Sequence, residues 1–417
     1  MISRIKKYFH DRKKIGLPPV HIEKVVNTLS ETHDWGLKQL NIPRTWKVTR
    51  GENITIGVID TGMPQHLDIG DNAIEGECFI KGEDIYDKNG HQTHCVGIIN
   101  AKQNETGMVG VAPAAKCLCV KGLSNSGSGT YGGLVAALEY CLEQQVDIVS
   151  MSLGGPNGSP QMKQVIDKLV QANIPVICAA GNSGNAGVNY PAAFDNTISV
   201  AAFDKFGRVA GFSSKGPEVD FAKPGVAVYS TYLNNTYARL SGTSMACPFM
   251  AGVVALMLSQ WKKAKKSYTV QDIITQLKNK ADDRGVVGKD DHWGYGVVDV
   301  EQLLQVDGQK PTPDPTKPEP TPEPTPEPTP EPTPEPTKPE PTPEPDKPEP
   351  TSTPDKPEPK KPWLTPRVTW IVFGVMLSII ILAGVLSYVL NDETDIPSPP
   401  WIDENGNVDW DKKFENE

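Results

Sequence analysis

Five short apolar runs, Ile54–Ile59, Cys117–Val120, Ile148–Leu153, Ile174–Ala180 and Ile198–Ala201, restrict how this chain can fold more than any other feature. Each is continuous rather than alternating, so each predicts a strand buried on both faces. Helical patterns such as Gly133–Gln144 and Met162–Ala172 lie between them. Parallel neighbours need a crossover of a dozen residues or more, usually a helix, and that spacing is present. The expected fold class is α/β, a doubly wound parallel sheet with helices on both faces. About 250 residues is ample for one sizeable core.

The C-terminal part has a different character. Residues 311–362 hold 23 of the 39 prolines, in a Pro-Glu-Pro-Thr repeat with almost nothing to bury. A disordered, Pro-rich linker over 307–367 is expected, extended as polyproline II and reaching on the order of 150 Å. Residues 368–390 carry no charge, and as a helix they would measure about 35 Å, enough to span a bilayer. Lys360, Lys361 and Arg367 precede this span, while Asp392, Glu393 and Asp395 follow it. The positive-inside rule then places the N-terminal side in the cytoplasm and the acidic tail, 391–417, on the opposite side. The expected protein is a single-pass membrane protein. An exported chain anchored at its C-terminus is the alternative, against which Met1–Val20 is basic and holds no apolar run of signal-peptide length.

Charge and cysteine exclude other classes. The net charge of −10 is C-terminal, since residues 1–310 carry 32 Lys/Arg against 30 Asp/Glu. That segment lacks the basic excess of a nucleic-acid-binding domain. Seven cysteines, an odd number lying between Cys78 and Cys247, do not make a disulfide scaffold.

Three segments carry candidate chemistry: Asp60-Thr61-Gly62 after the first apolar run, Gly90-His91-Gln92-Thr93-His94-Cys95, and Gly242-Thr243-Ser244-Met245-Ala246-Cys247-Pro248. Singly, Asp60 reads as a turn residue, His91 as a surface or core histidine, and Ser244 as a helix cap. Together they have the composition of a nucleophile, a base and an orienting acid, and active sites gather at the carboxyl ends of parallel strands. A fourth segment, Ala179-Ala180-Gly181-Asn182-Ser183-Gly184, ends another apolar run with an amide.

In the order Asp, His, Ser, these segments resemble the subtilases, the subtilisin-like serine proteases, over residues 46–306. VDIVSMSLGGP at 146–156 and WGYGVVDV at 293–300 also look like family segments, and VDIVSMSLGGP and VICAAGN are closest in style to the intracellular subtilisins. The resemblance implies a serine endopeptidase, with Ser244 as nucleophile, His91 as base, Asp60 as orienting carboxylate and Asn182 as oxyanion donor. His94 matches a structural position and not the base. The Ser126-Gly127-Ser128-Gly129 run and Ser152-Leu153-Gly154 resemble the two edges that pair with an extended peptide, with Asn189 near the floor of the pocket. Protein or peptide substrates are implied, and no cofactor for the chemistry. Asp68 and Asn104 match positions that bind structural calcium in relatives. Residues 1–45 form an N-terminal extension, read as an inhibitory propeptide in which Gly16–Val20, with its two prolines, lies across the cleft until removed.

The residue types suit that chemistry. A serine hydroxyl is a weak nucleophile that needs an adjacent base, and histidine titrates where it can take and return a proton near neutral pH. Two departures from the family pattern stand out. Gln92 replaces the usual glycine after the base, where a side chain is expected to crowd the cleft or shift His91. Cys95 and Cys247 sit on the catalytic helices, as buried small hydrophobes or as a thiol-sensitive switch.

Overall fold

The computed structural model describes residues 14–19, 21–26 and 30–306. The expected linker, membrane helix and acidic tail lie outside the described residues, as do most of the basic leader and Val20.

Two N-terminal strands, β1 (Lys14–Gly16) and β2 (His21–Val26), are followed by short helices α1 (Trp35–Gln39) and α2 (Ile42–Thr45). The main body then runs β3 (Thr55–Asp60), β4 (Ala73–Cys78), α3 (His91–Asn100), β5 (Lys116–Lys121), β6 (Ser128–Thr130) and α4 (Tyr131–Glu143). It continues with β7 (Ile148–Met151), α5 (Pro160–Gln171), β8 (Val176–Ala179), β9 (Ile198–Phe203), β10 (Phe221–Pro224), β11 (Val228–Tyr232) and β12 (Thr236–Ser241). The last elements are α6 (Thr243–Lys263), α7 (Val270–Asn279), β13 (Ala281–Asp282), β14 (Val297–Val298) and α8 (Val300–Leu303).

Seven strands form one sheet in the order β10-β9-β8-β7-β3-β5-β4, every pair parallel. The five predicted strands fill its middle. The two that the sequence did not announce, β4 and β10, are its edges. AIEGEC in β4 exposes its second and third residues, while FAKP in β10 is buried throughout but, having a neighbour on one side only, tolerates a proline.

Alternate residues divide between two cores, as the two-residue period of a strand requires. Ile56, Val58, Cys117 and Cys119 face one core shared with α3 and α6, while Ile59, Leu118 and Val120 face the other with α4 and α5. Burying a Leu, Ile or Val side chain contributes about 1.5–3 kcal/mol, so these layers dominate the stability. The outer helix α5 is amphipathic, burying Met162, Val165, Ile166 and Leu169, and Ser159 caps it by accepting from the Met162 N–H at 3.3 Å. By contrast α6 is buried almost throughout and packs on β7, β8, β9 and β10. Among the described residues it alone is long and apolar enough to cross a membrane, but here it is the core helix.

From β3 the chain builds β5 and β4 to one side and β7 to β10 to the other. The crevice at the carboxyl ends of β3 and β7 is therefore a topological switch point, where α/β sheets bind ligands. A second, antiparallel sheet, β11-β12-β2, packs beside α3, and β1 pairs with β6 at the mouth of the crevice. Helix α3 approaches β11 so closely that a Cβ at Gly97 would lie 2.1 Å from Thr231 Oγ1.

Candidate active site

Asp60 ends β3 and His91 begins α3, and the structure brings them together at the switch point. Both carboxylate oxygens of Asp60 lie 2.9 Å from His91 Nδ1. The Thr61 N–H donates to Asp60 Oδ1 at 2.7 Å, which fixes the carboxylate from the other side. Asp60 and His91 are both buried. Burial alone would pull the imidazole down, but the Asp60 carboxylate outweighs it and holds His91 well above the usual histidine value. With Nδ1 on the carboxylate, Nε2 is the free face of the ring, and it has no hydrogen-bond partner among the described residues.

Ser244 is the second residue of α6, where backbone N–H groups have no partner within the helix. Its carbonyl would normally accept from residue 248, but that residue is Pro248. The freed carbonyl is taken by Ser152 Oγ at 2.9 Å and by Cys95 Sγ at 3.5 Å. Proline thus ties the start of α6 to the end of β7 and to α3. The Ser244 hydroxyl itself donates to Ser152 O at 3.3 Å and not to His91.

Asn182 lies just beyond β8. Its Oδ1 accepts from both the Thr243 N–H and the Thr243 hydroxyl at 2.8 Å. That double acceptance sets the amide's orientation and turns Nδ2 toward the crevice, where it donates to the carbonyl of Pro19 at 2.7 Å. Thr243 was not singled out from the sequence. A hydroxyl immediately before Ser244, able to fix the neighbouring amide, was the available signal.

The N-terminal segment lies between the two edges expected to pair with a peptide. β1 pairs antiparallel with β6, with Ile15 opposite Gly129 and Gly16 opposite Ser128, and Leu17 N–H donates to Gly127 O at 2.9 Å. On its other side Gly16 exchanges both bonds with Gly154, at 2.9 and 3.4 Å. An antiparallel ladder would next exchange bonds between residues 18 and 152. Pro18 has no N–H to give, and Ser152 O takes the Ser244 hydroxyl instead. Leu153 meets the crevice with its backbone alone, since its side chain is in the core. Asn189 packs against Gly154 and Gly181: a Cβ at Gly154 would meet its Cβ at 2.9 Å, and one at Gly181 its Nδ2 at 2.6 Å.

A family model for the subtilases matches residues 51–296. Subtilisin DY of Bacillus licheniformis is 41% identical over 263 residues, 61% of this chain and 92% of that protein. The chain belongs to the subtilase family. Thermitase of Thermoactinomyces vulgaris is 36% identical over 277 residues, 66% of this chain and 96% of its own length. Subtilisin E of Bacillus subtilis strain 168 is 35% identical over 305 residues, 70% and 77% of the two chains. This subtilase is accordingly a serine endopeptidase, a hydrolase of peptide bonds.

In this subtilase the expectation for Gln92 is corrected. Its side chain is fully buried beneath Asp60 and does not enter the cleft. Its Nε2 donates to Val58 O at 3.1 Å and its Oε1 accepts from Gly62 N–H at 2.6 Å. Lys121, next to Asp60 in the β3–β5 register, was also missed. It is buried, donates to Thr61 O and to Asn125 Oδ1, and pairs with Glu83 at 3.3 Å. A lysine ending an apolar strand was the signal. His94 is held away from the dyad, with Nε2 on the carbonyls of Val228 and Ala238 at 3.1 Å, and burial pulls it down to about 3. Cys95 and Cys247 are fully buried, and burial pushes both thiols up, Cys247 to about 12. Low-pKa, accessible thiols are the reactive ones, so these fit the packing reading.

Asp68 and Asn104 also converge, but through donors. Asn104 Nδ2 donates to Asp68 Oδ1 at 2.9 Å, and the Met108 N–H and Tyr237 hydroxyl reach Oδ2 at 2.8 and 3.4 Å. Asn104 Oδ1 faces Thr106, and Glu31 Oε2 accepts from the N–H groups of Asn104 and Glu105. Calcium needs six to eight oxygens, and N–H and O–H groups surround this carboxylate. As arranged, the residues do not fit the ion.

Proposed function

We propose that this subtilase is a membrane-tethered endopeptidase working on the cytoplasmic side, with Ser244 as nucleophile, His91 as general base, Asp60 as orienting carboxylate and Asn182 as oxyanion donor. The observation that carries the catalytic reading is the Asp60–His91 contact at 2.9 Å, which leaves Nε2 as the ring's free nitrogen, on a helix that packs against α6. Ser244 Oγ attacks the peptide carbonyl as its proton passes to Nε2. Asn182 Nδ2–H and the Ser244 N–H stabilise the oxyanion. The imidazolium then protonates the leaving amine, the C–N bond breaks, and water repeats the sequence on the acyl-enzyme. Asn182→Ala is expected to lower kcat about 10²- to 10³-fold with little change in KM. A steady-state assay giving unchanged kcat removes Asn182 from the role.

The pH dependence follows from the raised His91 value. The base must be neutral, so activity is lost as pH falls through its pKa. The acid limb of kcat/KM is expected to have its midpoint above about 6.5. Asp60→Asn is expected to move the limb down. A wild-type midpoint below 6 contradicts this.

Residues 14–19 are proposed to inhibit the enzyme as a substrate-like strand. Support comes from their pairing with both cleft edges and from the Pro19 carbonyl on Asn182. The membrane reading rests on the uncharged span 368–390 and its flanking charges. In right-side-out vesicles the catalytic domain should resist added protease; its digestion there would reverse the orientation.

A further inference from the structure

We propose that Gln92 is a positioning residue, a splint that locks the carboxylate strand to the helix of the base; the proposal rests on the catalytic roles given above. Its amide straddles Asp60, bonding Val58 O two residues before it and Gly62 N–H two residues after it, at 3.1 and 2.6 Å. Its own N–H donates to Thr61 Oγ1 at 3.1 Å. Thr61 in turn holds Asp60 Oδ1 through its N–H at 2.7 Å and bonds Asp87 through its hydroxyl at 2.9 Å. Asp87 closes the circuit onto α3, accepting from the Thr93 N–H at 2.8 Å and the Thr93 hydroxyl at 2.7 Å.

Gln92 directly follows His91, so one residue fixes the end of β3 against the first turn of α3. Those two elements carry the two halves of the dyad. Gly62 shows how little room the turn has: its φ is +131°, and a Cβ there would lie 2.4 Å from Ile85 O. All the groups concerned are buried, where a hydrogen bond is strong and a lost partner costly. A glycine at 92 leaves both backbone contacts unmade. The side chain that departs from the family pattern therefore adds a constraint on Asp60 that glycine cannot supply.

The test uses the full-length chain and a chromogenic peptide, with Gln92→Met, which keeps the volume and loses both bonds, and Gln92→Glu. For Gln92→Met the expected result is kcat lower by about 10- to 100-fold, KM within about twofold, and the acid limb of kcat/KM moved toward 6.5 as Asp60 loosens from His91. The carboxyl introduced by Gln92→Glu can make both bonds only when protonated, so that variant should lose activity progressively on the alkaline side, where wild type does not. Kinetics of Gln92→Met equal to wild type overturn the proposal. So does a loss of kcat in either variant with the wild-type pH profile, which marks a general structural effect read equally in the melting temperature. Wild type no faster than Ser244→Ala overturns the catalytic reading first, and this proposal with it.

Discussion

Ser244→Ala is expected to lower kcat for peptide hydrolysis about a million-fold, and His91→Ala about as far, the size found when these groups are removed from a subtilisin. The double variant should be no worse than either alone. A hydroxyl without a base and a base without a hydroxyl fail at the same proton transfer, so the losses do not add. Asp60→Asn should be milder, at about ten-thousand-fold, because it leaves both reacting groups and misassigns the imidazole tautomer. The fold supports this ranking. Asp60 touches His91 Nδ1 with both oxygens and does not touch Ser244. Substantial activity in Ser244→Ala, measured on purified protein, would remove the nucleophile assignment.

Deleting residues 1–19 should raise kcat/KM about a hundredfold. A tethered segment has an effective concentration on the order of millimolar. Binding the cleft with a Kd of about 10 µM, it would leave about one molecule in a hundred open, and the apparent activity falls by that fraction. Two features support the proposed inhibition. The segment pairs with both edges proposed to bind substrate, and Pro18 leaves Ser152 O to the Ser244 hydroxyl at 3.3 Å, which is thereby turned from His91. The deletion keeps β2, which pairs with β12 and leads the chain away from the crevice. A peptide of residues 14–19 added in trans should inhibit competitively and weakly. A deletion variant with wild-type kcat/KM would show that the strand does not limit access.

What the sequence made legible follows from what each group has to bury. The five central strands were readable because both their faces are covered, so apolar residues run without interruption. Edge strands β4 and β10 were not, because half-exposed or proline-bearing strands look like loops. Asp60, His91, Asn182 and Ser244 were legible as motifs because their chemistry admits few residue types. Gln92 was legible only as a departure, and of its two expected effects the crowding of the cleft is not found. Whether a side chain points into a cleft or beneath it depends on the twist of the first helical turn against β3, and one-dimensional spacing does not carry that. Thr243 and Lys121 act through hydrogen bonds to groups 61 and 60 residues away. An inhibitory segment at Gly16–Val20 was suggested by its two prolines, but strand β1 just before them, and its register against Ser128, Gly129 and Gly154, required the assembled cleft.

Labelling with a fluorophosphonate reports on whether Ser244 is an activated nucleophile covered by the N-terminal strand. Full-length chain, chain lacking residues 1–19, and each with Ser244→Ala would be labelled side by side. Fast labelling of the shortened chain, slow labelling of the full-length chain, and none in either Ser244→Ala form are expected. Equal labelling of the Ser244→Ala forms, or labelling of the full-length chain as fast as of the shortened one, would contradict this.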